Sequence, residues 1–334
     1  MKLGIDLGGT KIEIIALNNQ GVECLRRRMF TPQGDYAATL YAIANLVHAA
    51  EAELGQRGSV GIGTPGTISK ATGLLKNSNS DHLNGKPVLQ DLESLLQREV
   101  KISNDANCFA LSEATDGAAA GASVVFGVIL GTGVGAGIVV NGKVLTGPNG
   151  IAGEWGHNPL PWPAADELPG LDCYCGQKGC IETFLSGPGM AKQHQHEHGD
   201  INTVGNGFRH DRFPLPNPPP EGEGTNEALR EFQVNDTGVA LSTKDIVARA
   251  EAGDEACVLS MQRYENRLAR GLAHVINILD PEVIVLGGGM SNIERLYTHV
   301  PQLWTRWVFS DRVETRLVKN KFGDSSGVRG AAWL

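Results

Sequence analysis

LGIDLGGTKIEIIALNN, residues 3–19, is the stretch on which the fold turns. An apolar run ends in a glycine turn, a second run of Ile and Leu follows, and NNQG (18–21) closes it. That pattern predicts a β-hairpin. It returns in FGVILGTGVGAGIVVNG, residues 126–142. Gly4 falls on Gly127, Leu7 on Leu130 and Gly8 on Gly131, each 123 positions on. Two structurally related halves are therefore expected.

Outward from these hairpins, strand, helix and glycine turns alternate. Residues 35–54 carry Leu40, Ile43, Leu46 and Val47 at helical spacing. SVGIGTPG (59–66) reads as a strand ending in a Gly/Pro turn, EVKISND (99–105) as a strand ending on polar residues, and 106–121 as a helix. A long helix-like stretch, 254–279, closes on Asp-Pro before EVIVLGGGMSN (282–292). The class is α/β.

A chain of 334 residues can build two domains with real cores. The boundary is expected between an N-terminal lobe, 1–118, and a C-terminal lobe, 119–334. No apolar run is long enough to span a bilayer, and MKLGIDLGGTK does not read as a signal peptide. A cytoplasmic protein with no membrane partner is expected. The net charge of −8 argues against nucleic acid as a partner. The stretch 205–238 has five prolines between 214 and 220 and no clear period. It reads as an exposed insertion, a composition that usually marks a linker. HQHEH (194–198) alternates its histidines, which does not suit a helix face, so a solvated turn is expected.

Glycine loops let backbone N–H groups approach an anion closely. DLGGTK (6–11) and LGTGVGAG (130–137) each follow a strand. Each alone reads equally as a plain turn or a phosphate cradle. Two at matching places, with GGGM (287–290), point to a nucleotide. Gly131, Gly133 and Ala136 satisfy G-x-G-x-x-A, but that dinucleotide fingerprint must open a helix, and a β-hairpin follows here. Asp6 ends an apolar strand beside the first loop, where a carboxylate needs a partner; Mg²⁺ suits it, and a self-capped turn is the plain alternative. Asp105 also ends a strand, where ligands of open α/β sheets bind, although spacing alone favours a cap for the next helix. Asn104 beside it suits a polyol hydroxyl.

Half of the six cysteines fall in DCYCGQKGCIE (172–182). Cys173, Cys175 and Cys180 offer three soft ligands, and His157 in GEWGHNPLPW supplies a fourth for a closed tetrahedral zinc site. A redox pair or three buried thiols are the alternatives. A zinc loop over 157–180 would pin Glu154 and Glu182, one on each side, as a clasp for a substrate wall.

With these residues assembled, the chain resembles the ROK family of bacterial sugar kinases and sugar-responsive repressors. GIDLGGTK, GIGTPG, SNDANCFALSEA, GEWGHNPLPW, CYCGQKGCIE, DPEVIVLGGGMSN and GDSSGVRGAA carry the likeness, which covers nearly everything outside about 199–240. It implies an actin-like ATPase (ribonuclease H-like) fold, with two lobes around a central cleft. It implies ATP and Mg²⁺ held by Asp6, Gly8, Gly9, Thr10 and Lys11 on one side and Gly131, Thr132, Gly133 and Gly135 on the other. Gly287 and Gly288 would lie near the adenosine. Asp105 would take the proton from the sugar hydroxyl, while Asn104, Glu154, His157 and Glu182 hold the sugar. His157, Cys173, Cys175 and Cys180 would bind structural Zn²⁺. Within the family, KNSNSDHLNGKP and GEWGHNPLPWP look most like the fructokinase type, implying transfer to the 6-hydroxyl of fructose, with mannose or glucose weaker. N-acetylglucosamine kinase is the alternative, as is a non-catalytic sugar-responsive regulator. The repressors carry a helix-turn-helix ahead of the first loop, which begins here at residue 4. Family members are often dimers, and no feature of the sequence decides a homodimer here.

Overall fold

The computed structural model describes residues 1–78, 80–198 and 241–334. The proline-rich stretch 205–238 lies outside them. The chain opens with β1 (Lys2–Leu7) and β2 (Lys11–Leu17), joined as the expected hairpin, and β3 (Glu23–Phe30). There follow α1 (Tyr36–Leu54), β4 (Ser59–Thr64), a small hairpin of β5 (Thr67–Ile68) and β6 (Leu75–Lys76), α2 (Val88–Leu96), β7 (Val100–Asn104) and α3 (Asp105–Thr115). The long strands form one sheet in the order β3-β2-β1-β4-β7. The hairpin side is antiparallel; β1, β4 and β7 are parallel.

The second half repeats this. It comprises β8 (Val124–Leu130), β9 (Val134–Val140), β10 (Lys143–Val144), α4 (Glu182–Leu185), α5 (Gly187–His198), α6 (Thr243–Glu251), α7 (Glu255–Leu279), β11 (Val283–Gly287), α8 (Leu296–Trp304), β12 (Arg316–Lys319) and α9 (Ser326–Trp333). Its sheet order is β10-β9-β8-β11-β12, with the same pattern of antiparallel and parallel neighbours. Two such sheets, each with helices on both faces, make the actin-like, ribonuclease H-like fold. The register refines the repeat. Leu7 faces Ile12 across the first hairpin, whereas Leu130 faces Val134 across the second. Four residues turn the first and three turn the second. The offset of 123 therefore holds for β1 and β8 and becomes 122 for β2 and β9.

Each half lends its last helix to the other. The helix α3 lies on β8 and β9, and α9 lies on β1 and β4. The approach is so close that only glycine fits. A Cβ on Gly4 would stand 2.1 Å from the Val328 carbonyl oxygen, one on Gly127 2.8 Å from the Ala110 Cβ, and one on Gly330 1.6 Å from the Cys108 carbonyl oxygen. The repeated Gly4 and Gly127 are thus demands of packing. The opposite faces of the sheets bury separate cores, Leu40, Ile43, Val47 and Leu92 over the first, Met261, Leu268, Leu272 and Leu286 over the second.

Two local expectations change. The helix expected to reach 121 stops at Thr115. Gly117 folds back against Glu113, whose Oε2 accepts from the Ala118 amide at 2.8 Å, so the side chain replaces the next helical turn. HQHEH is helical and forms the end of α5. His194 is buried there and bonded through Nδ1 to the Ser260 hydroxyl at 2.8 Å, with the His198 ring one turn on. Tertiary burial overrides the surface pattern. Among the described residues no helix is long and apolar enough to cross a membrane.

Candidate functional site

The two parallel strands β1 and β7 bring Asp6 and Asp105 to one edge of the cleft. Asn104, the last residue of β7, caps α3 by accepting from the Ala106 amide at 2.9 Å. The capping role open to Asp105 thus falls to its neighbour, and Asp105 is the first helical residue. Its Oδ1 accepts from the Ala106 amide at 2.8 Å. Burial raises its pKa, opposed by that amide, and the nearby Glu154 charge adds to the rise. Asp6 is pushed up to about 6, by burial first, then by the charges of Asp105 and Glu13, against the pull of Arg28. Among the described residues its carboxylate caps no turn. Two half-buried carboxylates at one edge, the charge of Asp105 raising the proton affinity of Asp6, form a place for a divalent cation. That donor chemistry fits Mg²⁺.

Behind Asp6 stands a row the sequence reading passed over. Across the sheet Arg28 faces Glu13, Glu13 faces Asp6, and Asp6 faces Gly63. Buried Glu13 accepts from Arg26 at 3.0 Å and from Arg28 at 2.7 Å. The hairpin tip above is pinned from the segment that follows β3: the Thr31 hydroxyl donates to the Gly8 carbonyl at 2.7 Å and the Gln33 side-chain amide to the Gly9 carbonyl at 2.8 Å. Gly9, Thr10 and Lys11 remain exposed. In the second hairpin the Gly131 carbonyl accepts from the Gly187 amide at 2.8 Å. Glu182, at the start of α4, accepts from the Val134 amide at 2.9 Å through Oε2. A Cβ on Gly133 would reach that oxygen at 2.8 Å. Glu182 thereby joins the cysteine loop to the glycine loop.

The wall between is built by the cysteine cluster. His157, Cys173, Cys175 and Cys180 bring their ligand atoms within 4.8 Å of one another. Cys173 Sγ lies 3.5 Å from His157 Nδ1, and Cys175 Sγ 3.6 Å from Cys180 Sγ. A tetrahedral zinc with Zn–S bonds near 2.3 Å spaces its sulfurs by about 3.8 Å. Geometry and donor set both fit zinc. With Nδ1 toward the metal, Nε2 of His157 faces the exposed Tyr174 hydroxyl at 2.9 Å. Burial and the neighbouring sulfurs push Cys180 up to about 12, so metal binding would release protons. On the far side buried Glu167 ties the wall to α7. It accepts from Arg267 at 2.8 Å and from Arg270 at 2.8 and 2.9 Å, which hold it down to about 2 against burial. Arg270 also donates to the Trp162 carbonyl at 2.6 Å.

The sequence model of the ROK family matches residues 2–334. This chain belongs to the ROK family. The ROK chain is 38% identical over 339 residues to the N-acetyl-D-glucosamine kinase of Pasteurella multocida, covering 100% of this chain and 99% of that one. Among solved structures it resembles a ROK hexokinase from Thermus thermophilus, with a TM-score of 0.78, 27% identity, and coverage of 100% and 97%. It also resembles a ROK glucokinase from Streptomyces griseus solved with glucose and AMPPNP, with a TM-score of 0.69, 26% identity, and coverage of 99% and 97%.

Other features beside these residues left little trace in the sequence. A cavity of about 1280 Å³ adjoins the second hairpin, lined among others by Thr132, Gly187, Lys244, Met290, Ile293 and Asp324. Gly288, at φ +78°, stands against the Leu130 carbonyl and lines a smaller neighbouring cavity of about 240 Å³. Gly287 serves packing instead: a Cβ there would meet the Phe109 ring at 2.5 Å. Two lysines bridge the lobes. Lys70 Nζ donates to the Gly147 carbonyl at 2.6 Å and Lys76 Nζ to the Asn149 carbonyl at 3.4 Å. The loop they grip leads into Glu154. No spacing rule flags lone surface lysines, so only the folded chain reveals this contact.

Proposed function

We propose that this chain is an ATP-dependent N-acetyl-D-glucosamine kinase, acting on the primary 6-hydroxyl. The kinase reading rests on one observation above others: Asp6 and Asp105 share a cleft edge between two glycine hairpins beside a nucleotide-sized cavity. The choice of sugar rests on full-length likeness to N-acetyl-D-glucosamine kinases. That likeness favours the acetylated hexosamine over the fructose suggested by KNSNSDHLNGKP and GEWGHNPLPWP.

Phosphoryl transfer needs placement and charge neutralisation more than covalent work by the protein. When bound, Mg²⁺ would neutralise phosphate charge beside Asp6. Asp105 accepts the proton as the sugar oxygen attacks the terminal phosphorus, and the bond to the bridging oxygen of ADP breaks. Burial makes Asp105 a stronger base than an exposed carboxylate. Asn104, Glu154, His157 and Glu182 surround the sugar. Zinc held by His157, Cys173, Cys175 and Cys180 would stiffen their wall on one side, and the Glu167 ion pairs brace it on the other. Lys70 and Lys76 hold the lobes closed over it and exclude water from the transfer.

The test is ADP release from Mg-ATP with purified protein and a panel of N-acetylglucosamine, N-acetylmannosamine, glucose, mannose and fructose. The expected result is the highest kcat/KM on N-acetylglucosamine. Preference for fructose would restore the fructokinase reading. A folded protein that binds a sugar and transfers no phosphoryl group would leave the regulator reading.

A further inference from the structure

GDSS, residues 323–326, plays no part in the chemistry above, yet it links the cavity beside the second hairpin to Arg26 and Glu113. The turn Gly323–Ser325 leads straight into α9. Asp324 lines both cavities beside the second hairpin. The Ser325 hydroxyl accepts from Arg26 of the first lobe at 2.6 Å, and the same Arg26 nitrogen donates to Glu13 at 3.0 Å. Glu13 stands directly across the β-ladder from Asp6. The Ser326 hydroxyl, fully buried, donates to Glu113 Oε1 at 2.7 Å, and the Lys321 amide donates to Glu113 Oε2 at 3.1 Å. Glu113 lies eight residues along the same rigid helix from Asp105. Glu113 is itself wholly buried, held by the Ala118 and Lys321 amides and the Ser326 hydroxyl, and among the described residues it forms no ion pair.

We propose that the 323–326 turn is a coupling element, with Ser325, Arg26 and Glu113 as positioning residues through which a nucleotide at Asp324 sets the placement of Asp6 and Asp105. The inference rests on the kinase reading and adds to it a direction of control. One end of the turn faces the nucleotide cavity. The other end holds two arms, one toward each carboxylate: the first runs through Arg26 and Glu13 of the first sheet, the second through Glu113 along α3. Such an arrangement makes binding of sugar and nucleotide mutually dependent, and thermodynamics requires the dependence to be reciprocal.

The experiment is calorimetric titration of full-length protein with N-acetylglucosamine, with and without saturating AMPPNP and Mg²⁺. The wild type should bind the sugar about fivefold or more tightly when the analogue is present. Ser325 is only partly buried, so Ser325→Ala should fold. It should keep nucleotide-free sugar affinity within about twofold and lose most of the enhancement, while Ser325→Thr, which retains the hydroxyl, restores it. Ser326→Ala should reduce the enhancement independently. Wild-type coupling in both alanine variants overturns the inference, as does a wild type that phosphorylates the sugar with no coupling at all. Absence of both sugar binding and turnover across the panel is a different result: it defeats the kinase reading, and the inference with it.

Discussion

The two hairpins share a topology and differ in chemistry. The first places Asp6 and Glu13 opposite each other with arginines behind. In the second, the matching positions are Ile129, at offset 123, and Gly135, at offset 122. The first hairpin thus manages charge, and the second offers bare backbone locked in place by Glu182. Repeating a fold does not repeat a site. The scaffold demands glycine at Gly4 and Gly127 alike, because both meet a crossing helix, whereas only the first hairpin carries carboxylates at the paired positions.

The sharpest break of that asymmetry is at the acidic side. Asp105→Asn should lower kcat by roughly 10²–10⁴-fold, with sugar affinity by calorimetry changed little; near-normal turnover would remove Asp105 as the base. Next comes the scaffold. Gly4→Ala and Gly127→Ala should both destabilise, by about 3 kcal/mol or more at Gly4, where the obstacle is a backbone carbonyl, and less at Gly127, where it is a methyl. Denaturant midpoints read the difference, and equal losses would contradict the close approach described. Cys175→Ser should then cost the wall its metal and several degrees of Tm together, measured by metal content and calorimetry. A stable, fully active metal-free wild type would count against zinc.

The smallest effect is one of pH. Asp6 holds its proton more tightly folded than unfolded, being raised from 3.8 to about 6. Its contribution to stability is therefore fully present below about 3.8 and lost as pH rises through about 6. Asp6→Asn should raise the Tm of the nucleotide-free protein at pH 7.5 by a few degrees and lose that advantage toward pH 4, while impairing turnover at every pH. For the wild type, kcat/KM for Mg-ATP should fall as pH drops through about 6. A Tm gain that ignores pH would assign the effect to packing instead of charge.

What the sequence made legible follows from what is local. Hairpin patterning, the helices 36–54 and 255–279, and the Cys/His spacing are short-range features, and the structure brings His157, Cys173, Cys175 and Cys180 together as a set that could hold a metal. The related halves were visible at Gly4 and Gly127, although the one-residue difference between the turns needs the strand register. The Glu13–Arg28 row, the Glu167 cluster and the Lys70 bridge escaped notice because their partners lie 15 to about 100 positions apart or across the cleft. HQHEH misled because burial against Ser260, not periodicity, decides its conformation.

The exchange of α3 and α9 has a consequence for dissection. Cut near residue 120, the chain would give one fragment carrying the helix that completes the other's sheet, and each would expose a glycine-lined groove. The geometry is that of a domain-swapped dimer whose two subunits have become covalently joined. Each piece would lack the helix that packs against its own sheet, so activity should return only on mixing, and the exchanged helices tie the two lobes together through the sheets as well as through the chain.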